Sequence, residues 1–167
     1  MRQKLMCLSD CTAKSSRFRT GATEPTDEMG SIDESLKRVL EMRKEVAKES
    51  SLLVGISGID ASGKGFVTAK LADRLKSGRV AVINVDGWLN LPYIRFDPSH
   101  PAENLDKNAL RLDEMFARLI LPLKENRTVD IEMDFAEETA VSFQPHRYTF
   151  KDIDIILLEG IFLFKRK

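Results

Sequence analysis

The sequence predicts an α/β fold, a parallel sheet covered by helices, and three features predict it. Short, largely apolar runs at Leu52–Ile56, Val80–Val85 and Ile153–Leu158 have the character of strands buried on both faces. Segments with apolar residues at helical spacing lie between them. Strands that alternate with helices pair in parallel through right-handed crossovers. At 167 residues one domain is the natural expectation, and 43% hydrophobic with 31% charged residues excludes a collagen-like, mucin-like or wholly disordered chain.

The elements follow in order. Residues 1–30 read as a disordered leader, rich in Ser, Thr and Gly and without a sustained period. Arg2, Lys4, Lys14, Arg17 and Arg19 stand there against Asp10, a charge pattern shared with organelle-targeting segments, but no clear amphipathic helix accompanies it. Cys7 and Cys11 form neither a disulfide framework nor a zinc site, which fits a reducing, cytoplasmic setting. Ser31-Ile32-Asp33-Glu34 reads as a capping box that opens an amphipathic helix over 31–49, with Ile32, Leu36, Val39, Leu40 and Val46 at helical spacing. The main domain spans 50–167. Its first strand leads through a glycine-rich turn into a helix with Val67, Leu71 and Leu75 on one stripe, stopped at Ser77-Gly78. After the second strand comes a loop with Pro92, Pro98 and Pro101. Leu112, Met115, Phe116, Leu119, Ile120 and Leu123 mark a further helix, which Pro122 closes or kinks. Val129, Ile131, Met133 and Phe135 alternate with acids, as in a one-sided strand, and Val141–Phe143 is its expected hairpin partner.

Lys+Arg and Asp+Glu both total 26, so no global basic charge favours a nucleic-acid partner. No apolar run approaches the roughly 20 residues of a membrane helix, and no membrane partner is expected. A homo-oligomer is left open.

The sharpest motif is Gly58-Ile59-Asp60-Ala61-Ser62-Gly63-Lys64-Gly65, which matches the phosphate-binding G-x-x-x-x-G-K pattern of P-loop nucleotide-binding proteins except for its last residue. Glycines let the backbone curl so that successive amides face phosphate oxygens. The helix that follows adds its positive end. Residues Gly58 to Phe66 are therefore the candidate binding loop, and Lys64 supplies a mobile charge for the outer phosphates. A buried strand before and an amphipathic helix after give the motif its proper context. Gly65 takes the place of a Ser/Thr whose hydroxyl would ligate Mg²⁺, so Gly65→Thr is expected to strengthen Mg-nucleotide binding.

Ligands in such sheets bind beyond the carboxyl ends of the strands. Asp86 follows the second apolar run and Glu159 the third. One would act as a base or orienting group for an acceptor hydroxyl, and the other would bind Mg²⁺ or its water. Trp88, Tyr93, Arg95 and Phe96 follow Asp86 and could hold a planar or sugar-like acceptor, or anchor the loop on the core. Asp134 lies on the polar side of its strand. His100 and His146 read as surface residues, and Arg147 as a weak anion contact.

Gly55-Ile56-Ser57-Gly58 through Lys64, then Asp86, Asp134-Phe135 and Ile155-Ile156-Leu157-Leu158-Glu159-Gly160-Ile161 stand in the order seen in uridine kinases. Over roughly residues 50–165 the chain resembles the uridine kinase and phosphoribulokinase group of P-loop kinases. The resemblance implies a three-layer P-loop fold, ATP as phosphoryl donor and Mg²⁺ as cofactor. It implies Asp86 as acceptor of the hydroxyl proton, Glu159 near the metal, and Asp134 and Phe135 beside the acceptor. Met133 replaces the family's Tyr, and Glu138 and Ala140 stand where a His and an Arg help hold the nucleoside. The acceptor is thus open between a nucleoside and another small hydroxylated metabolite. By resemblance, a lid and an adenine pocket would follow Glu159-Gly160-Ile161, so the chain reads as the front part of such a kinase.

Three functions are compatible with these residues. A Mg-ATP-dependent small-molecule kinase comes first. The alternative is an inactive nucleotide- or phosphate-binding module, truncated or completed by another chain. An interaction domain that uses the 31–49 helix is the third.

Overall fold

The computed structural model describes residues 26–75, 79–96, 99–100, 107–161 and 163. The leader over 1–25, Cys7, Cys11, Ser77-Gly78, Pro98, Pro101 and Lys165-Arg166-Lys167 lie outside the described residues. Helix α1 (Thr26–Lys44) leads to strand β1 (Leu52–Ser57), helix α2 (Lys64–Arg74) and strand β2 (Val80–Asn84). A 3-10 turn (Val85–Gly87) and a short helix α3 (Pro92–Arg95) follow. Helix α4 is built of three consecutive pieces, Leu112–Met115, a π turn at Phe116–Ile120, and Leu121–Asn126. Strands β3 (Val129–Phe135), β4 (Gln144–Phe150) and β5 (Ile155–Gly160) complete the order.

The parallel sheet runs β1-β5-β2, with Ile56 and Asn84 both in register with Glu159 of the central strand. Two apolar layers cover it. Leu52, Val54, Ile56, Ile155 and Leu157 meet Val39 of α1 and Leu71 of α2 on one side. Leu53, Ala81, Ile83, Ile156 and Leu158 meet α4 and the hairpin on the other. The fold is therefore a three-layer α/β sandwich, as the strand and helix pattern predicts. A hub at the far end of the sheet ties the layers together. Asp154 takes Arg43 of α1 (3.0 Å), Arg127 after α4 (2.9 Å) and Arg79 before β2 (3.3 Å).

Four expectations need correction. The first helix starts at Thr26 and ends at Lys44, so Ser31 lies inside it rather than at its cap. β2 is buried on one face only, because it is an edge strand among the described residues, and Val82 is 45% exposed. Pro122 does not close α4, which runs on to Asn126 and ends at a left-handed Arg127. Proline lacks an N–H and crowds the carbonyl four residues back. The π turn just before it relieves the strain, with the Leu121 N–H donating to the Phe116 carbonyl five residues back. The hairpin partner is Gln144–Phe150, in antiparallel register from Val129↔Phe150 to Phe135↔Gln144, and Val141–Phe143 falls in the connection. The pairing sets Ile131 against Tyr148 on the buried face, a better apolar match than Val141–Phe143 could make.

Candidate active site

β1 delivers the loop. An added Cβ on Gly58 would lie 2.4 Å from Ser62 Oγ, so the loop folds back closely on its own start. Ser62 N–H donates to the Ile59 carbonyl (3.2 Å). Ala61 (φ 58°) and Gly63 (φ 83°) both take the left-handed conformation, which turns successive amides to one side and forms an anion-binding concavity. Ile59, Asp60, Ala61, Ser62 and Gly63 are all exposed, so the concavity is open. α2 begins at Lys64 with no side chain capping its first amides, and those amides have no carbonyl of their own helix in front of them. The curled, open segment with free amides fits a polyphosphate. Lys64 Nζ lies 3.3 Å from Asp60 Oδ1, a carboxylate that is 90% exposed and so a weak competitor for an incoming phosphate.

Glu159 closes the central strand and is 8% exposed. Burial raises its carboxyl pKa above the ordinary value; Asp86 pushes the same way, while Lys64 and the Thr68 hydroxyl pull it down. These four groups therefore share one electrostatic neighbourhood. An added Cβ on Gly65 would stand 3.6 Å and 3.9 Å from the two Glu159 carboxylate oxygens. Gly160 must be small, since its Cβ would meet Val85 Cγ2 at 2.0 Å. That close approach seats the turn bearing Asp86 against the end of β5.

Asp86 is exposed, and its N–H donates to Asn84 Oδ1 (2.8 Å), which fixes the turn. Gly87 packs flat on Phe135, with an added Cβ 2.1 Å from the ring, and the Ala136 N–H donates to the Gly87 carbonyl (3.1 Å). The hairpin end that carries Asp134 and Phe135 thus docks beside Asp86. Arg111 holds it there through the Asp134 carbonyl and stacks over Trp88 and Phe143 at 5.4 and 4.6 Å.

The structure brings Lys64, Gly65, Asp86, Glu159, Asp134 and Phe135 to one end of the sheet. It does not place Trp88 among ligand-facing groups: Trp88 is wholly buried and stacks on Tyr148 at 5.8 Å, so it anchors the turn. Tyr93 is 76% exposed, and Arg95 is 4% exposed, bonded to the Glu138 carbonyl (2.6 Å). Arg147 is spent on Asp130 through two 2.7 Å bonds. Sequence reasoning missed Thr68 and Arg111. Thr68 follows Lys64 by one helical turn, a signal that was available; Arg111 acts through tertiary contacts that leave no local pattern. His146 is exposed, yet its ring lies against Phe135 (5.1 Å) and Tyr148 (4.5 Å).

Among the described residues no three or more metal-ligating side chains cluster. Besides the exposed Asp60 of the loop itself, Glu159 and Asp86 bring carboxylates to this end of the sheet. Mg²⁺ is commonly held by one or two carboxylates together with substrate phosphates and water, and this pair fits that use. No helix among the described residues is long and apolar enough to cross a membrane.

No family model matches the chain. A curated uridine kinase from Macrococcus caseolyticus (strain JCSC5402) is 29% identical over 112 residues, 66% of this chain and 52% of the relative. The chain thus spans about half the length of the curated relative it matches. A solved structure described as a possible uridine kinase from Bacillus stearothermophilus aligns with a TM-score of 0.70 at 19% identity, over 84% of this chain and 75% of that one. Sequence relative and fold neighbour agree with the motifs: the chain is similar in sequence to a uridine kinase and shares the α/β fold of that solved structure.

Proposed function

We propose that the chain is the nucleotide-binding part of a Mg-ATP-dependent kinase that phosphorylates a hydroxyl of a small metabolite. One observation carries the reading. An open, left-handed loop with free amides and a lysine stands at the same sheet end as two carboxylates, Glu159 on the central strand and Asp86 in the turn after its neighbour β2. The loop over residues 58–66 binds the donor phosphates through its free amides, and Lys64 neutralises the outer ones. Glu159, with Asp86 near it, would hold Mg²⁺, which supplies charge neutralisation on the phosphate oxygens when bound. Asp86 takes the proton of the acceptor hydroxyl as that oxygen bonds to the terminal phosphorus and the bridging P–O bond breaks. Phe135 and Asp134 border the acceptor.

Nucleotide consumption against a panel of small hydroxylated metabolites tests this. Asp86→Asn is expected to lower turnover by about 10²-fold or more, the usual contribution of a positioned base, with nucleotide affinity kept. Lys64→Ala is expected to lose nucleotide affinity. Nucleotide binding without turnover on any acceptor would assign the chain to an inactive binding module, and an unchanged rate in Asp86→Asn would remove the base.

A further inference from the structure

Phe66 is a large apolar side chain of α2 that stands off the buried stripe. Val67, Leu71 and Leu75 pack against the sheet, while Phe66 is 55% exposed. Thr68 is buried, and its hydroxyl acts on Glu159. A helix turns about 100° per residue, so Phe66 and Lys70, each two residues from Thr68, lie about 160° around the helix from it. Packing of the core gives this ring no use.

The ring stands at the loop instead. The Val67 N–H donates to the Gly63 carbonyl (3.0 Å), so the Phe66 N–H, one residue earlier, is among the first-turn amides with no partner inside the helix. Helical side chains lean toward the N-terminus and cover the turn before their own Cα. Phe66 thus leans over the end of the loop. Lys70 leans over Phe66 in turn, with its Nζ 5.6 Å from the ring centroid. That contact steadies the ring, and more than half of the residue still faces solvent.

A polyphosphate on this loop has two distinguishable ends. Lys64, Glu159 and Asp86 share one electrostatic neighbourhood on the Thr68 side of α2, which draws the terminal phosphate. The other end, which carries the nucleoside, leaves toward Phe66. Every nucleobase offers a flat π-face to an aromatic ring, whatever its edge groups. We propose that the Phe66 ring stacks on the base of the bound nucleotide, so that the donor is held by its base as well as by its phosphates. The inference rests on the nucleotide-binding reading of the loop and adds to it one wall of the base site, supplied from within α2.

The test uses the full chain and titration calorimetry with two probes, Mg-ATP and Mg-tripolyphosphate, which share the phosphates and differ in the nucleoside. The wild type is expected to bind Mg-ATP the more tightly. Phe66→Ala is expected to lose about 5- to 150-fold on Mg-ATP, the usual worth of one base stacked on an aromatic ring, and to keep its affinity for Mg-tripolyphosphate. Phe66→Leu, apolar but without a ring, should lose most of the same amount, and Phe66→Tyr should bind as the wild type does. The position is exposed and alanine is a good helix former, so the fold should survive these changes. A wild type that binds both probes equally, equal losses on both in Phe66→Ala, an unchanged Mg-ATP affinity in that variant, or a Phe66→Leu variant that binds Mg-ATP as the wild type does would each overturn the proposal. Lys64→Ala should weaken both probes alike. Probes that do not bind at all, or that ignore this change, would remove the loop reading itself and the stacked base with it.

Discussion

Gly65→Ser probes the candidate metal position directly. The added Cβ would sit 3.6 and 3.9 Å from the Glu159 oxygens, ordinary contact distances, in a residue with helical backbone. The side chain therefore enters without displacing its neighbours. Serine is about 0.5 kcal/mol better than glycine in a helix. A hydroxyl beside the buried carboxylate adds about 0.5–1.5 kcal/mol of hydrogen bond. Together these predict about 1–2 kcal/mol of stability, or a Tm rise of about 2–8 °C in a chain of this size. The same hydroxyl offers Mg²⁺ an oxygen beside Glu159, so Mg-ATP should bind about tenfold more tightly, a gain of about 1.4 kcal/mol. Titration calorimetry with Mg-ATP, and with ATP plus chelator, isolates the metal-dependent part. An equal gain in both titrations, or weaker Mg-ATP binding, would refute the reasoning.

Three further perturbations follow from the contacts at this end of the sheet. Burial and Asp86 raise the Glu159 carboxyl, so the folded chain holds that proton more tightly than the unfolded one; stability falls as pH rises from about 4.5 through the raised pKa, and the cost is complete above it. Glu159→Gln should therefore raise Tm at pH 8 and raise it less, or not at all, near pH 4. A gain equal at both pH values would contradict this. Acidification through the same window should weaken Mg²⁺ binding in the wild type, because the metal needs the ionised carboxylate. Gly87→Ala places a Cβ 2.1 Å from the Phe135 ring, so overpacking should cost about 1–3 kcal/mol, read as a lower denaturant midpoint, and turnover should fall with it. An unchanged midpoint would show that the hairpin yields freely there.

Much of this site was legible because its signals are local. A glycine pattern after an apolar run specifies a curled loop, and apolar runs that end in acids specify carboxylates at a sheet edge. What was not legible depends on partners distant in sequence. Trp88 has an aromatic's two uses, and only its place under Tyr148 decides for the core. Arg95 ends a short helix, and its bond to the Glu138 carbonyl, more than 40 residues away, leaves no trace in its neighbours. Val141–Phe143 carried the right composition for a strand, but the register that matches Ile131 to Tyr148 pushed it into the connection. The helix through Pro122 survives because a π turn absorbs the missing donor, a backbone adjustment that residue types alone do not announce.

Parallel topology explains why the charged groups converge at all. Glu159 ends the central strand, and its register partners Ile56 and Asn84 lie one strand spacing, about 4.8 Å, to either side. The chain leaving β1 must then pass Glu159 on one side as the loop with Lys64, and the chain leaving β2 must pass it on the other as the turn with Asp86. Were β2 antiparallel, its exit would lie at the opposite sheet edge, about 16 Å away for five residues, and no side chain could bridge that gap. Gly160 lets the second exit press against the strand end, and Gly87 lets the hairpin press against that exit. The cation, the two carboxylates and the hairpin end with Asp134 and Phe135 are thus stacked by backbone contact in sequence, with glycine at each close approach. Bulk added at either glycine should be felt at Asp86 before it is felt at Lys64, because the loop after β1 rests on neither contact.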